Sequence, residues 1–276
     1  MNTHHAIEIV AGERFEFGEN WARFLKVLNQ DRIDEAERSL GEMLGMPSLE
    51  GKSFLDVGSG SGLFSLAARR LGARVHSFDF DPRSVACTGY LRNHYFPGDT
   101  RWSVEAGSVL DRKYLATLGV HDVVYSWGVL HHTGDMWTAL ENVASLVAPD
   151  GLLWIAIYND QGAVSRRWKW LKKTYNQSPR GVRLLLALAC AVHSAWRPAV
   201  KDLLRLRPFA TIRNYGKSRG MSFWHDTVDW IGGYPFEVAK PERIFDFYTV
   251  RGFRLKRMKT TNSLGCNEFV FNRSAS

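Results

Sequence analysis

A ligand-binding loop is predicted where an apolar run ends in the carboxylate of Asp56. Three glycines follow at alternate positions, Gly58, Gly60 and Gly62, and a helix-like run begins directly after them. A strand that stops at a glycine-rich turn before a helix brings bare backbone close to a ligand and directs the helix N-terminus at it. The dinucleotide fingerprint G-x-G-x-x-G would need a glycine where Leu63 stands, so the spacing argues against that class of site.

A second carboxylate follows at a distance that suits a ribose. Residues 74–79 read as a strand that ends in Asp79, which stands 23 residues after Asp56. A carboxylate at the end of the second strand of an α/β unit can accept hydrogen bonds from ribose hydroxyls. Asp81 lies two residues further on and is placed to share that role.

Strand-like and helix-like runs alternate around these residues. Alternation of this kind predicts an α/β fold with a doubly wound parallel sheet and ligands at the carboxyl ends of its strands. Near the C-terminus, Pro241 and Gly252 bracket a last helix, and two strands follow at 253–260 and 268–273. The earlier predicted strands are 54–56, 74–79, 102–106, 121–127 and 151–158, and the predicted helices between them are 63–71, 83–95, 111–118 and 136–147.

The order of these motifs along the chain is typical of one protein family. The D-x-G-x-G-x-G loop, Asp79, the exit loop at Gly107 and the fourth strand resemble class I S-adenosylmethionine-dependent methyltransferases of the small-molecule type. The likeness covers roughly 50–160 and 240–273 and is distantly similar to the ubiquinone-biosynthesis O-methyltransferase. It implies a Rossmann-like sheet of seven strands, mostly parallel, closed by a C-terminal hairpin with one antiparallel strand.

The resemblance also implies S-adenosylmethionine as the cofactor. Relatives often carry an acid after the glycine of the third exit loop; here Ser108 stands there, so Asp111 takes that role or the contact is made by backbone alone. The residues that the resemblance places at the cofactor are Asp56, Gly58, Ser59, Gly60, Gly62, Asp79, Phe80, Ser108, Val109, Ser126 and Trp127.

Methyl transfer from a sulfonium is an in-line displacement that mainly needs alignment and a dry site. A base helps when the acceptor is a hydroxyl, and histidine suits that task near neutral pH. The candidates are His131 or His132 after the fourth strand, and His225 with Asp226 or Asp229 as its orienting acid. Proximity catalysis without any base remains an alternative. The predicted substrate residues are Tyr158, Asn159, Asp229 and Tyr234.

Two further segments flank the predicted catalytic body of 51–160 and 240–276. Residues 1–50 form helices that either cover the cofactor cleft as a lid or pack on the sheet edge. Residues 161–239 form an insertion whose first part is strongly basic. Between Ser165 and Gly220, fourteen Arg or Lys residues and one acid give a net charge of +13, whereas the whole chain carries +8.

The insertion admits two interpretations. It forms a helical cap over the active site, or its apolar run at 184–192 with Trp196 and nearby basic residues lies on an anionic membrane. Both interpretations fit a lipid-linked acceptor.

RNA methylation is an alternative function that would use the basic surface, and a SAM-binding subunit without activity is another. Nucleic-acid binding is disfavoured, because residues 126–129 lack the Asn/Asp-Pro-Pro-aromatic clamp of base N-methyltransferases and few aromatics interleave with the basic cluster.

The composition predicts a cellular location and argues against disulfide and metal sites. The three cysteines are scattered and form no C-x-x-C pair, so neither a disulfide framework nor a metal site is predicted. The N-terminus lacks the basic-then-apolar pattern of a signal peptide, and no run reaches the roughly 18–20 apolar residues that span a bilayer. We therefore expect a cytoplasmic protein, with peripheral membrane contact if the second interpretation of the insertion holds.

Overall fold

The computed structural model describes residues 3–204 and 223–274, apart from the side chains of residues 3, 4, 197, 199, 204 and 225. Seven strands form one sheet: β1 (Ser53–Val57), β2 (Arg74–Asp79), β3 (Trp102–Ala106), β4 (His121–Trp127), β5 (Val147–Tyr158), β6 (Phe253–Lys259) and β7 (Cys266–Arg273). Their order is β3-β2-β1-β4-β5-β7-β6, and β7 is antiparallel to both of its neighbours. The predicted α/β fold with a C-terminal antiparallel hairpin is confirmed.

The strand order places a crevice at the centre of the sheet. Strand β1 pairs in parallel with β2 on one side and β4 on the other, so that Asp56 stands opposite both Ser77 and Tyr125. The order of the strands reverses between β1 and β4, and ligands of open α/β sheets bind outside the carboxyl ends of the strands at such a reversal. The glycine loop follows β1 at this point.

Helices cover both faces of the sheet, so its strands are apolar on both sides. The adjacent residues Phe54 and Leu55 point to opposite faces of β1 and are both fully buried. Phe54 belongs to the core beneath α3 (Gln30–Leu44) and α4 (Leu63–Arg70), and Leu55 to the core beneath α7 (Met136–Ser145) and α11 (Pro241–Thr249). The helices are α1 (Thr3–Val10), α2 (Gly18–Leu25), α3 (Gln30–Leu44), α4 (Leu63–Arg70), α5 (Pro82–Tyr95), α6 (Arg112–Leu118), α7 (Met136–Ser145), α8 (Ala163–Gln177), α9 (Arg180–Leu204), α10 (Phe223–Gly232) and α11 (Pro241–Thr249).

The N-terminal helices begin at different residues from those that their sequence suggests. The sequence predicts a helix cap at Asn20 before the run 21–28, because asparagine often caps helices, but α2 starts at Gly18, where the N–H is held by the Asp81 carboxylate at 2.7 Å. Asp31 reads as the next cap, yet Asn29 has that role and its side chain accepts from the Arg32 N–H at 3.1 Å. Local sequence cannot reveal the tertiary contact at Gly18.

The insertion is more helical than its sequence suggests. Residues 220–237 read as a loop, but α10 occupies most of the described part of that stretch. Its Ile231 is fully buried in a small core with Tyr175 of α8 and with Ala187 and Cys190 of α9, which gives the helix a tertiary support absent from its local pattern. No helix within the described ranges combines the length and hydrophobicity that crossing a bilayer requires.

Candidate active site

One cavity of about 1350 Å³ lies at the carboxyl ends of the strands. The glycine loop and the ends of β2 and β4 form one side, and helices α2 and α10 contribute the other side. Residues from the N-terminal segment, the catalytic body and the insertion therefore share a single cavity. The predicted residues that line it are Asp56, Gly58, Ser59, Gly60, Asp79, Phe80, Ser108, Val109, Trp127, His132, Tyr158, Asp226 and Asp229.

The glycine loop is held against the second strand by backbone hydrogen bonds. The N–H groups of Gly58 and Ser59 both donate to the Phe78 carbonyl, at 2.9 and 3.1 Å. The Gly60 N–H donates to Oδ2 of Asp79 at 2.9 Å. The loop and the end of β2 are thus fixed to each other, which preorganises this side of the cavity for a ligand.

The Asp79 carboxylate is buried and already partly satisfied. Its Oδ1 accepts from the Asp81 N–H at 2.9 Å, in addition to the Gly60 bond to Oδ2. Burial raises the pKa of Asp79 to about 6, and the two backbone hydrogen bonds oppose that rise. Each carboxylate oxygen accepts more than one hydrogen bond, so both retain capacity for hydroxyl donors of a ligand.

Asp56 forms the floor of the same region. The Ser65 hydroxyl donates to it at 2.5 Å, Ser65 contacts the Ser77 hydroxyl at 2.7 Å, and the indole N–H of Trp102 donates to Ser77 at 2.9 Å. Burial raises the pKa of Asp56 to about 7, although the Ser65 hydrogen bond lowers it. Two carboxyls with raised pKa values therefore face one end of the cavity.

Asp81, proposed from its position to share the ribose contact, has a structural role in this geometry. Its Oδ1 accepts from the Arg83 N–H at 2.8 Å and so caps α5. Its Oδ2 accepts from the Gly18 N–H, which attaches α2 to the catalytic body. A single carboxylate thus binds the N-terminal segment to the wall of the cavity.

The N-terminal segment supplies cavity residues that are not predicted from the sequence as site residues. Phe17, Asn20 and Trp21 line the cavity, and so does Arg14, whose Nη1 donates to the His132 carbonyl at 3.0 Å. The aromatic residues within 14–21 are the sequence feature that could have indicated a binding role for this segment. Helices α1 and α2 lie at the cavity, whereas α3 packs against α4.

The two adjacent histidines have different surroundings. His131 is fully buried away from the cavity wall, and its ring centroid lies 4.0 Å from that of Tyr158. His132 lines the cavity, and its Nδ1 lies 2.6 Å from the Pro235 carbonyl oxygen, a contact in which Nδ1 carries the proton and donates. Burial lowers the pKa of His131 well below its ordinary value and that of His132 to about 3, so both rings are neutral near pH 7.

Helix α10 places two acids on the cavity wall. Asp226 and Asp229 both line it, and the side chain of His225 lies outside the described residues. The Asn20 amide of α2 donates to Oδ1 of Asp229. Burial, together with the negative charge of the neighbouring Asp226, raises the pKa of Asp229 to about 7.

Five predicted site residues lie behind the cavity wall. Gly62 is the N-cap residue of α4 at φ +82°, where a Cβ would stand 2.8 Å from the Thr88 backbone, so close helix packing explains this glycine. The Ser126 hydroxyl donates to the Val57 carbonyl at 2.9 Å, and the Asn159 amide donates to the Thr261 carbonyl at 2.8 Å. The other two are His131, described above, and Tyr234, whose carbonyl accepts from the Phe15 N–H at 2.9 Å.

A family model for a methyltransferase domain matches residues 23–187, which is more than half of the chain. The chain belongs to the methyltransferase domain family. This confirms the family predicted from the glycine loop and Asp79.

Among curated proteins, the chain is 28% identical over 137 residues to the ubiquinone biosynthesis O-methyltransferase of Shewanella sp. (strain ANA-3), covering 49% of this chain and 53% of that protein. It is 33% identical over 135 residues to the protein of the same name from Xanthomonas campestris pv. campestris (strain B100), covering 49% and 52%. The chain therefore spans about half the length of the curated relatives that it matches.

Solved structures share the fold at low identity. The magnesium protoporphyrin IX methyltransferase of Synechocystis PCC 6803 with bound SAH has a TM-score of 0.53 at 14% identity, covering 93% of this chain and 95% of that chain. An O-methyltransferase family protein from Burkholderia thailandensis has a TM-score of 0.52 at 15% identity, covering 100% and 69%. These likenesses identify the methyltransferase sheet.

Proposed function

We propose that this methyltransferase transfers the methyl group of S-adenosylmethionine to a hydroxyl oxygen of a small-molecule or lipid-linked acceptor. The observation that carries the proposal is the shared cavity. The glycine loop, Asp79 and His132 line it from the catalytic body, and Asp229 lines it from the insertion. One cavity thus offers positions for a nucleoside and for a proton-donating acceptor.

The cofactor end supports S-adenosylmethionine through hydrogen-bonding capacity. Asp79 can accept from the ribose hydroxyls, and Ser108 and Val109 line the cavity where the third strand ends. Trp127, at the end of β4, offers an aromatic face on the same wall. The bound cofactor supplies an activated methyl group, so the protein contributes alignment and exclusion of water.

Oxygen as the methylated atom is supported by the names of the curated relatives, which are O-methyltransferases. The acceptor end adds a chemical reason. Phe17, Tyr158 and Trp230 form aromatic walls, and a carboxyl and a neutral imidazole stand among them. Such a lining suits a largely apolar acceptor that presents a hydroxyl proton.

Two measurements test this function. Calorimetry should show binding of S-adenosylmethionine and of S-adenosylhomocysteine, and tight NADH binding in their place would contradict the cofactor assignment. Incubation with tritiated-methyl S-adenosylmethionine and a cell extract should label a small or lipid-soluble product at oxygen. Label in RNA would favour the RNA methyltransferase alternative, and cofactor binding without any labelled product would favour a subunit without activity.

Peripheral contact with an anionic membrane is proposed as a second property, on the basis of helix α9. Its exposed apolar residues recur every three or four positions and so occupy one face of the helix. Leu185 and Val192 are 66% and 68% exposed. The members of this apolar face are Val182, Leu184, Leu185, Leu188, Val192, Trp196, Val200 and Leu203.

The positive charges near this apolar face favour an anionic lipid surface as its partner. Trp170 of α8 is 68% exposed, and Arg166, Arg167 and Lys173 are its exposed neighbours at helical spacing. Apolar faces with a tryptophan and flanking basic residues bind anionic bilayers, where each cation contributes roughly 1 kcal/mol. The exposed cations of α8 and α9 are Arg166, Arg167, Lys169, Lys173, Arg180 and Lys201.

Co-sedimentation with vesicles tests the membrane contact. The full chain should bind phosphatidylcholine vesicles that contain phosphatidylglycerol, bind pure phosphatidylcholine weakly, and lose binding as salt rises. Val192→Glu should weaken binding, whereas Val250→Glu, at an exposed valine after α11, should not. If the wild-type chain ignores anionic vesicles at low salt, the membrane contact is contradicted, and self-association in solution would then indicate that a second copy covers α9.

A further inference from the structure

Helices α2 and α10 meet across the cavity through one pair of side chains. The Asn20 amide donates to Oδ1 of Asp229, although the two residues are 209 positions apart. Asn20 belongs to the N-terminal segment and Asp229 to the insertion, and both line the cavity. The pair therefore joins the two segments that flank the catalytic body at the point where they face its contents.

The orientation of this pair is fixed from outside the cavity. Nη1 of Arg23 donates to the Asn20 side-chain oxygen at 3.1 Å. Because that oxygen is the acceptor for Arg23, the amide nitrogen of Asn20 must face Asp229. Asn20 can occupy only one oxygen of the carboxylate with this bond, so Oδ2 of Asp229 remains for a ligand.

Asp229 also shares its end of the cavity with His132. A Cβ built on Gly233 would lie 3.2 Å from the Asp229 carbonyl oxygen and 3.3 Å from Cε1 of His132, so the imidazole and the α10 backbone flank the same glycine. The α10 backbone that carries Asp229 thus borders the His132 imidazole, and both residues line the cavity.

We propose that Asp229 accepts the proton of the acceptor hydroxyl and that Asn20 is its positioning residue. This inference rests on the proposed function. The acceptor O–H bond breaks and its proton passes to Oδ2 of Asp229, while the acceptor oxygen bonds the methyl carbon. The carbon–sulfur bond breaks with its electron pair left on sulfur, so a sulfonium and a carboxylate become a neutral thioether and a carboxylic acid.

The surroundings favour Asp229 over His132 for this step. His132 donates through Nδ1 to a backbone carbonyl, and its burial, with a pKa of about 3, strongly disfavours the imidazolium that a base must become. A carboxyl whose pKa lies near 7 matches the task better. The sequence alone offers Asp226 or Asp229 as the acid that orients His225 and predicts Asp229 as a substrate residue; here Asp229 is assigned the proton transfer itself.

The charged and titratable groups around Asp229 come from several elements. Asp226 of α10 and Glu19 of α2 raise its pKa, and Arg23 of α2 lowers it. Tyr158 of β5 and Tyr175 of α8 interact electrostatically with Asp229 as well. These groups, together with Asn20, set the pH at which the carboxylate becomes available.

The test measures the rate of label transfer from tritiated-methyl S-adenosylmethionine into a metabolite extract, as a function of pH. Asp229→Asn should lower that rate roughly 10²–10⁴-fold at pH 7.5 and leave S-adenosylmethionine affinity within about twofold. Asp246→Asn makes the same chemical change at an exposed position of α11 and should transfer label like the wild type. Asn20→Ala should move the acidic limb of the pH–rate profile to higher pH, because the carboxylate loses a donor.

The outcomes separate this inference from the proposed function. Transfer by Asp229→Asn at the wild-type rate, or an unmoved profile in Asn20→Ala, would overturn the inference while methyl transfer stands. If the wild-type chain binds S-adenosylmethionine but labels no product, the proposed function fails and the inference fails with it.

Discussion

The indole of Trp21 lies directly against Gly60 of the glycine loop. A Cβ at Gly60 would stand 3.0 Å from both Nε1 and Cε2 of the Trp21 ring, and the Gly60 backbone has φ +55°. The N-terminal segment therefore reaches the loop of the catalytic body through an aromatic side chain. The contact leaves no space for a side chain at position 60.

Gly60→Ala should destabilise the protein for two reasons. The left-handed backbone costs a residue with a Cβ roughly 1–2 kcal/mol, and the new methyl group also presses on the indole. We expect a lower free energy of unfolding in urea and weaker S-adenosylmethionine binding. Trp21→Ala combined with Gly60→Ala should be less harmful than the sum of the two single changes, and strict additivity would contradict the contact.

Binding of S-adenosylmethionine should depend on pH through Asp56 and Asp79. Burial raises their pKa values to about 7 and about 6, so both carboxyls are largely protonated at pH 5 and charged at pH 8. A cationic ligand that carries hydroxyl donors binds charged carboxylates more tightly than protonated carboxyl groups. Affinity should therefore fall by about tenfold or more from pH 8 to pH 5, and binding at pH 6 should release protons.

Calorimetry in two buffers of different ionisation enthalpy measures that proton release. Asp79→Asn should lower affinity at pH 8 by about tenfold or more, because charge-assisted hydrogen bonds contribute roughly 1.5–3 kcal/mol each. It should also reduce the number of protons released, while Asp246→Asn changes neither quantity. An affinity that is constant from pH 5 to pH 8 would show that neither carboxyl responds to the cofactor.

The cofactor side of the cavity was predictable because its information is local. The spacing of Gly58, Gly60 and Asp79 indicates a strand, a tight loop and the end of the next strand, and the sheet brings those parts together in any chain with this topology. Buried strands such as 151–158 are similarly visible as apolar runs, although β5 starts earlier, at Val147.

The acceptor side was not predictable in the same way. Asn20 and Asp229 meet only because two segments fold over the sheet, and no local pattern encodes a contact across 209 positions. The sequence of α10 predicts a loop, because its aromatic residues lack a helical signature without the core around Ile231. The distinction between His131 and His132 likewise depends on which ring the turn after β4 directs into the cavity.

Lys172 should make stability depend on pH in the alkaline range. Its ammonium lies 4.3 Å from the Trp230 ring centroid and 4.9 Å from that of Phe236, and burial lowers its pKa to about 7. The unfolded chain then binds the proton more readily between pH 7 and about 10, so this group adds stability as pH rises through that range. Its contribution changes little below pH 7.

Lys172→Met removes this dependence while it keeps most of the side-chain volume. Urea unfolding at pH 7, 8.5 and 9.5 should show a smaller rise in the free energy of unfolding with pH for this variant than for the wild type, by up to about 1.4 kcal/mol per pH unit. Lys173→Met replaces the adjacent exposed lysine and should keep the wild-type slope. Equal slopes for all three proteins would show that Lys172 stays charged in the fold.

Loss of the Asp81 carboxylate should loosen the N-terminal segment. Asp81 caps α5 through the Arg83 N–H and holds the first residue of α2 through the Gly18 N–H. Asp81→Ala removes both acceptors, so we expect a loss of about 1–2 kcal/mol from the helix cap and faster amide exchange in residues 14–25. Because Trp21 belongs to that segment, S-adenosylmethionine affinity should fall as well.

Asp135→Ala separates the loss of a cap from the loosening of the N-terminal segment. Asp135 caps α7 by accepting from the Thr138 N–H at 3.3 Å, so its removal should also lower the free energy of unfolding. It should leave amide exchange in residues 14–25 and cofactor affinity unchanged, since Asp135 does not hold α2. If Asp81→Ala and Asp135→Ala have the same exchange pattern in that segment, the Gly18–Asp81 hydrogen bond does not attach the N-terminal helices, and contacts such as Arg14 with the His132 carbonyl must hold them instead.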